Sequence, residues 1–519
     1  MSRPFRGLRE RPPASSYDAV VIGAGIGGLI AANLLAKGGL SVLLAEQHYM
    51  VGGYCSTFRR AGYTFDAATH FYPLLGNPET LTGRLLAEIG VETGWVKMDP
   101  VDTFHFPDGT RFAVPADFGT YMARLKADFP HQQAALDGFF DRVREAYFLG
   151  LLHYFRGKEV ERLKPLLPLT VRQALDRWFD DPRLKLLLTA DCPHWGSPPG
   201  RTSFVFDSML RLSYFLGNYY PKGGSQAFAD ELARCFEARG GEILMRTRAR
   251  RILVERGAAR GVEFEVRRGQ TATVERVAAG AVVANSDLLL TLEELIGEEH
   301  LEPGYLESVR SLRPTFPCFL VHFGLEGMPE EALHEAQGYY WDSWEMDRVG
   351  IDALKLKIFS PTLYEPAMAP PGRQIVIVQK VQEIDYGGVQ DWARHKAGVE
   401  AFVSAELERL LPGFASHVVT RSSASAHTSW RFTLNHSGAM LGWEMSPEQL
   451  GAWRPGIEGG GIRGLSFVGH WTRPGGGITP VIVSAQQVAR AVIAGRAEPL
   501  DLAAPAFPLG VLGEARDAD

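Results

Sequence analysis

The sequence predicts an α/β protein, a Rossmann-type nucleotide-binding domain carrying inserted α+β parts, on three adjoining observations. A β-branched run, Tyr17-Asp-Ala-Val-Val-Ile22, ends in glycines. A helical run from Gly28 to Lys37 follows and stops at Gly38-Gly39. A second strand-like run then spans Leu40 to Glu46. Short apolar, β-branched strands suit a parallel sheet covered on both faces, and a strand–helix–strand unit of this length takes a right-handed crossover.

The later elements are placed by the same signals. From Phe112 to Tyr220 the pattern is mostly helical, with aromatic clusters at Tyr147-Phe148 and Tyr154-Phe155. Gln226 to Arg239 is a helix, and strand-like pieces run from Glu242 to Val283. Phe316–Phe323, Gly338–Ile358 and Gln374–Val381 alternate as antiparallel strands do. Leu465 to Gly469 is a short strand and Pro480 to Ala494 a helix. The nucleotide domain is therefore expected in three pieces, 17–110, 219–310 and 456–495. A helical insertion over 111–218 and an antiparallel substrate domain over 311–455 separate them. A disordered arm over 1–16 and a loose tail over 496–519 are expected outside.

Composition narrows the classes. At 519 residues the chain holds two to four domain-sized units of ~150 residues. With 45% hydrophobic and 22% charged residues it is neither disordered nor collagenous nor a coiled coil. A net charge of −6 offers no basic footprint for nucleic acid. Cys55, Cys192, Cys235 and Cys318 include no C-x-x-C pair. That argues against a zinc ribbon or a disulfide framework and suits a reducing cytosol; no metal is expected. No apolar run approaches the ~20 residues of a spanning helix. The expected place is the cytoplasm, peripheral to a membrane.

Gly23-Ala24-Gly25-Ile-Gly27-Gly28 carries the chemistry. It matches G-x-G-x-x-G between a strand and a helix, and Glu46 closes the next strand. Gly23 permits the turn, Gly25 lets the backbone meet a pyrophosphate, and Gly28 lets the helix pack on the strand. The helix N-terminus attracts the phosphates, and a carboxylate at Glu46 accepts the ribose hydroxyls of an adenosine. Gly459-Gly-Gly461-Ile-Arg-Gly464 satisfies the same pattern but opens no helix, so it reads as a loop. Beyond Glu46, Gly52-Gly53 with Ser56, Thr57 and Arg60 behind it makes a second phosphate-contacting loop, which favours FAD over NAD.

The stretch from Val20 to Tyr72, with YYPKGGSQAFADEL at 219–232, AVVANSD at 281–287 and FVGHWTRPGGGITPVIVSAQQVARAVI at 467–493, resembles one flavoprotein family. It is the family of phytoene desaturases, carotenoid cis–trans isomerases and retinol saturases, whose FAD domain is amine-oxidase-like. The resemblance implies FAD contacts at Gly23, Ala24, Gly25, Gly27, Gly28, Glu46, Gly52, Gly53, Ser56, Thr57 and Arg60. It also implies a backbone adenine contact at Arg251 and Ile252. Gly469, Pro474, Gly476, Gly477 and Ile478 would bring a helix N-terminus to the flavin pyrimidine edge, where reduction gathers negative charge. Where many relatives carry an acidic residue after the strand glycine, this chain has His470.

The implied chemistry is oxidoreduction of a long apolar polyene: desaturation, with redox-neutral isomerisation, saturation, a fatty-acyl substrate or a non-catalytic flavin subunit as alternatives. With one nucleotide fingerprint in the chain, electrons pass to an external acceptor such as a quinone or oxygen, or are not consumed at all. His70 lies where the family's chain passes close to the flavin. It is either a general base of suitable pKa or a hydrogen-bonded structural histidine. Tyr147 to Phe155, followed by Arg156, Lys158, Arg162 and Lys164, is either a segment dipping into a membrane interface or a core helix with a solvated turn.

Overall fold

The computed structural model describes residues 14–268, 271–348, 354–450 and 454–495. The expected tail lies outside these residues, as does nearly all of the expected N-terminal arm. The first strand, β1 (Ser16–Ile22), pairs in parallel with β2 (Val42–Ala45), and α1 (Ile26–Lys37) joins them. The expected strand–helix–strand unit is therefore present, with the helix starting two residues early.

Five strands make the parallel part of the first sheet, in the order Leu465–Phe467, Thr271–Ala284, β1, β2, Glu242–Leu244. The long strand Thr271–Ala284 serves two partners on one edge. Its first half pairs antiparallel with Ala258–Arg268, which in turn pairs with Thr247–Glu255. Its last three residues run parallel to Leu465–Phe467. Three distant stretches of chain thus close one sheet. Val20, Val21, Leu43, Leu44, Val282 and Val283 are fully buried in it, the both-faces burial that a parallel sheet demands. Asn33, fully buried in α1, donates to Leu29 O at 2.9 Å and to Leu232 O at 2.8 Å, tying α1 to the helix Ser225–Ala238.

The second sheet has the order Val418–Ala424, Cys318–Glu326, Arg373–Val381, Leu354–Phe359, Gly338–Trp341, Asp102–His105, Arg111–Val114. The expected domain edge at 110 falls inside its last hairpin. Asp102–His105 joins this sheet through a parallel pairing with Gly338–Trp341, a long-range contact that a local pattern does not announce. Alternation sorts the faces. Val321, Phe323, Leu356, Ile358, Val376 and Val378 pack against Val399, Val403 and Leu407 of the helix Trp392–Leu410. The opposite face turns Leu320, His322, Lys357 and Gln379 toward a cavity. The insertion over 118–215 is helical as expected, with Phe139, Phe140, Phe179 and Phe204 in its core.

Helix α1 touches the glycine turn without clearance. A Cβ on Gly28 would stand 2.0 Å from Gly23 O, and neither atom belongs to a movable side chain. Gly28→Ala is expected to destabilise the protein by about 1–3 kcal/mol through overpacking, read as a lowered Tm in thermal denaturation.

Candidate active site and cofactor cavity

The cavity lies beyond the carboxyl ends of the parallel strands, where nucleotide sites of such sheets form. Gly23, at φ +93°, follows β1 directly in a conformation that favours glycine. Gly25 caps α1 without a side-chain hydrogen bond, and no acidic residue sits in the first turn. The first N–H groups of α1 and its positive end are therefore left for an anion. Helices elsewhere are closed by Thr80, Asp117 and Ser203 side chains. The second glycine loop docks on the first. Gly52 bridges to Gly25 and donates to Ala24 O at 2.8 Å, while a Cβ on Gly52 would meet Cys55 O at 2.4 Å.

Glu46 fastens this floor. Its Oε2 accepts the Ala24 N–H at 2.7 Å and its Oε1 the His48 N–H at 2.8 Å. Burial raises the carboxyl pKa, and the N–H groups of His48 and Ala24 oppose that rise. Asn285 was not singled out by sequence reasoning, yet it sits at the centre. Its Nδ2 donates to Gly23 O at 3.2 Å. Cβ atoms on Gly25, Gly27 and Gly469 would come within 2.6–3.0 Å of its carboxamide. The available signal was its place, the first residue past a buried strand end.

A second helix N-terminus opens on the same cavity. Gly477, at φ +100°, precedes the helix Ile478–Ala494, again without a side-chain cap or an acidic first turn. A Cβ on Gly476 would stand 2.1 Å from Leu441 O. Under this loop Arg454 is 1% exposed, with Nε and Nη1 lacking partners and Nη2 donating to Trp443 O and Glu444 O at 2.9 Å. Burial lowers its pKa to about 9.

Of the residues singled out from the sequence, Gly23, Gly25, Gly27, Glu46, Gly52, Gly53, Ser56, Thr57, Arg60, His70, Gly469, Pro474, Gly476, Gly477 and Ile478 line one cavity of about 1010 Å³. Ala24 and Gly28 stand behind the lining, Ala24 holding Glu46 and Gly52 through its backbone. Arg251 and Ile252 are not brought to it. The wall there is Thr247, Arg248 and Ala249. The chain meets the cavity where this strand begins, since Thr247 N–H donates to Glu46 O at 2.8 Å. By Ile252 the strand has entered the core, and Arg251 faces outward. His470 lines the cavity, its Nε2 3.1 Å from Asn435 Oδ1.

The far part of the cavity is walled by Leu151, Tyr154, Phe155, Phe206, Met209 and Leu210 from the helical insertion. Tyr147 and Leu151 are buried, whereas Phe148, Leu149 and residues 152–155 are half-buried, so the segment over 147–155 turns one side inward. Of the cations behind it, Arg162 pairs with Glu145 and Lys164 with Glu161. A polar cluster interrupts the apolar wall. His70 is 5% exposed, stacks on Phe359 at 4.5 Å, and places Nδ1 3.1 Å from Ala68 O. Burial and the nearby Lys357 charge lower its pKa to about 3. Lys357 donates to Asp102 Oδ2 at 2.7 Å and Tyr339 OH at 3.0 Å. Burial lowers the ammonium pKa and raises the carboxyl pKa, and each partner holds the other against that trend. Lys357 and Gln379 were not singled out from the sequence; His194, with Trp195, reads there as either a tunnel-lining or a core residue, and both line the cavity. Among the described residues no His, Cys, Asp and Glu cluster suits a metal ion.

Two open helix ends, interlocked glycine loops and an adenosine-side carboxylate define a dinucleotide-binding flavoprotein, and the cradle fits FAD. The chain belongs to the flavin-containing amine oxidoreductase family, whose model matches residues 26–493. It is an FAD-dependent oxidoreductase. Over 501 residues it is 28% identical to the all-trans-zeta-carotene desaturase of Myxococcus xanthus, covering 91% of this chain and 92% of the relative. Over 506 residues it is 26% identical to the chloroplastic prolycopene isomerase of Daucus carota, covering 92% and 80%. A solved oxidoreductase from Methanosarcina mazei shares the fold with a TM-score of 0.62 at 18% identity, over 91% of this chain and 99% of that one. A putrescine oxidase does so with 0.63 at 16%, over 93% and 100%.

Gly25→Val is expected to cost the protein its FAD while the far-ultraviolet circular dichroism is kept, since the new side chain occupies the space of the pyrophosphate; absorbance of the purified variant near 450 nm checks it. The histidines set an acid limit. His70, at about 3, and His322, lowered to about 4 by burial, bind fewer protons folded than unfolded, where about 6.5 applies. The stability they contribute is present above pH 6.5 and lost as pH falls toward 4, at up to about 1.4 kcal/mol per pH unit each. Tm is expected to drop between pH 7 and 5, and less steeply in His322→Phe.

Proposed function

We propose that this oxidoreductase desaturates a long apolar polyene of the carotenoid type. FAD supplies a hydride acceptor at N5, and a proton leaves the neighbouring carbon. The observation that carries the reading is the continuity of one cavity from the glycine cradle to the aromatic wall at Tyr154, Phe155 and Phe206. A chain of conjugated carbons fills such a wall and expels water from the reacting carbons. The desaturase and isomerase names of the relatives support it.

In this reading Gly476, Gly477 and Ile478 face the flavin pyrimidine edge with open N–H groups, and Ala67 to His70 border the reacting end. With an imidazole pKa near 3, His70 is uncharged at neutral pH and is a weak base. We therefore assign it to orienting the wall through Ala68 and Phe359. His70→Gln is expected to keep turnover within about tenfold, where loss of a general base costs about 10²–10⁴-fold. Redox-neutral isomerisation is the second reading, favoured by the isomerase relatives. Mixed anaerobically with a carotenoid hydrocarbon, the enzyme is expected to lose its flavin absorbance and yield a product lighter by two hydrogens. Unchanged mass with altered geometry replaces desaturation by isomerisation, and an external quinone or oxygen then serves as acceptor only in the first case.

No helix among the described residues is long and apolar enough to cross a membrane. Contact with a membrane surface is proposed instead, through Tyr49 and Phe432, which are 51% and 52% exposed and pack on His48 at the Glu46 end of the cavity, beside the 40%-exposed Trp430. Replacing Tyr49 and Phe432 by Ser is expected to reduce co-sedimentation with anionic liposomes at least severalfold, whereas Phe148→Ser leaves it unchanged.

A further inference from the structure

Where the apolar wall meets the second sheet, several polar atoms lack a well-placed partner in the protein. Both ring nitrogens of His194 are buried without a hydrogen bond of good geometry, and so is Oε1 of Gln379, the side chain that faces the imidazole. Both residues line the cavity, and Gln379 is only 7% exposed. Strand alternation places them: Gln379 lies opposite Lys357 in the register of Arg373–Val381 with Leu354–Phe359, and both turn away from the helix-covered face. Tyr339 joins the group, 4.6 Å from the His194 ring and hydrogen-bonded to Lys357.

A hydrocarbon pressed against these groups leaves an imidazole and a carboxamide dry with at most each other as partners, which strands at least one buried polar atom at more than a hydrogen bond returns. We propose that this cluster binds a hydroxyl group near one end of the substrate, so that, on the functional reading above, the enzyme takes polyene alcohols in preference to polyene hydrocarbons.

The donor and acceptor count selects the hydroxyl. A neutral imidazole offers one N–H and one lone pair, and a hydroxyl both donates and accepts. Gln379 fits either way. Its Nε2 is 3.4 Å from His70 Nδ1, which also faces Ala68 O, so turning the amide over leaves an N–H₂ group in place of the oxygen. Charge argues against a carboxylate. The Lys357 ammonium is already matched by Asp102, and burial keeps His70 and His194 uncharged. An added anion faces the Asp102 carboxylate, and the second nearby cation, Lys380, is turned to Leu354 O.

The test uses the FAD-loaded enzyme in detergent micelles and three linear all-trans polyenes of equal conjugation length, ending in CH₃, CH₂OH and COO⁻. Binding is read from quenching of tryptophan fluorescence. The alcohol is expected to bind at least tenfold more tightly than either of the others. The double variant His194→Phe with Gln379→Leu is expected to bring alcohol and hydrocarbon within about threefold at unchanged FAD content, and His194→Asn to keep most of the preference. Equal binding of alcohol and hydrocarbon by the parent enzyme overturns the proposal, as does a preference for the carboxylate or a tenfold preference surviving in the double variant. Binding of none of the three overturns the polyene reading itself. Should the double variant lose its FAD, the parent's three affinities with His194→Asn decide.

Discussion

The packing of glycines around the Asn285 carboxamide is the constraint on which the site depends. Gly25 and Gly27 at the start of α1 and Gly469 past the strand Leu465–Phe467 each approach this single side chain more closely than a Cβ comfortably permits, and Gly23 packs on the backbone oxygen of the same residue. The carboxamide in turn donates to Gly23 O. This contact joins the first, middle and last stretches of the sheet at the point where they face the cofactor. Glu46 completes the arrangement from the next strand by taking up the Ala24 N–H. Bulk anywhere in this ring moves backbone rather than side chain, so the ring sets the distance between the two open helix ends.

Much of this was legible in order along the chain. The strand, the glycine spacing, the helix and Glu46 are local features, and a local reading finds them. The residues that escaped it acquire their meaning only from distant partners. Lys357 alternates with leucines in a strand and reads as solvent-facing, yet its side of the sheet is turned inward toward Asp102, 255 residues earlier. Gln379 comes to the cavity from a separate insertion, beside a His194 whose polar partner no local pattern names. Asp102–His105 was assigned to the nucleotide domain by proximity in sequence and belongs to the antiparallel sheet. Tyr147 to Phe155 has the composition of a membrane-facing segment, but composition does not say which way a helix is turned. The expected adenine contact at Arg251 and Ile252 lies a few residues past the strand end that meets the cavity.

The electrostatics of the cavity follow one rule: what enters its wall is made neutral or matched. His70 and His322 are held uncharged by burial, Lys357 is matched by Asp102, and Glu46 is bound by backbone N–H groups. Arg454 departs from that rule. It lies directly behind the loop at Gly475, its Nε and Nη1 unpaired, a positive charge in a dry place.

The sheet that holds the cofactor is sewn from three stretches, and its closing strand and helix come more than 400 residues after β1. At a ribosomal pace of about 5–20 residues per second, β1 and α1 wait tens of seconds for Leu465–Phe467 and Ile478–Ala494. Until then the last three residues of the long strand ending at Ala284 are an unpaired edge, and the face of α1 that receives the last helix is bare apolar surface. Newly made chains are therefore exposed to aggregation for most of their synthesis, and truncation anywhere before the last helix yields a protein with a phosphate-binding turn but no second wall to hold the ring.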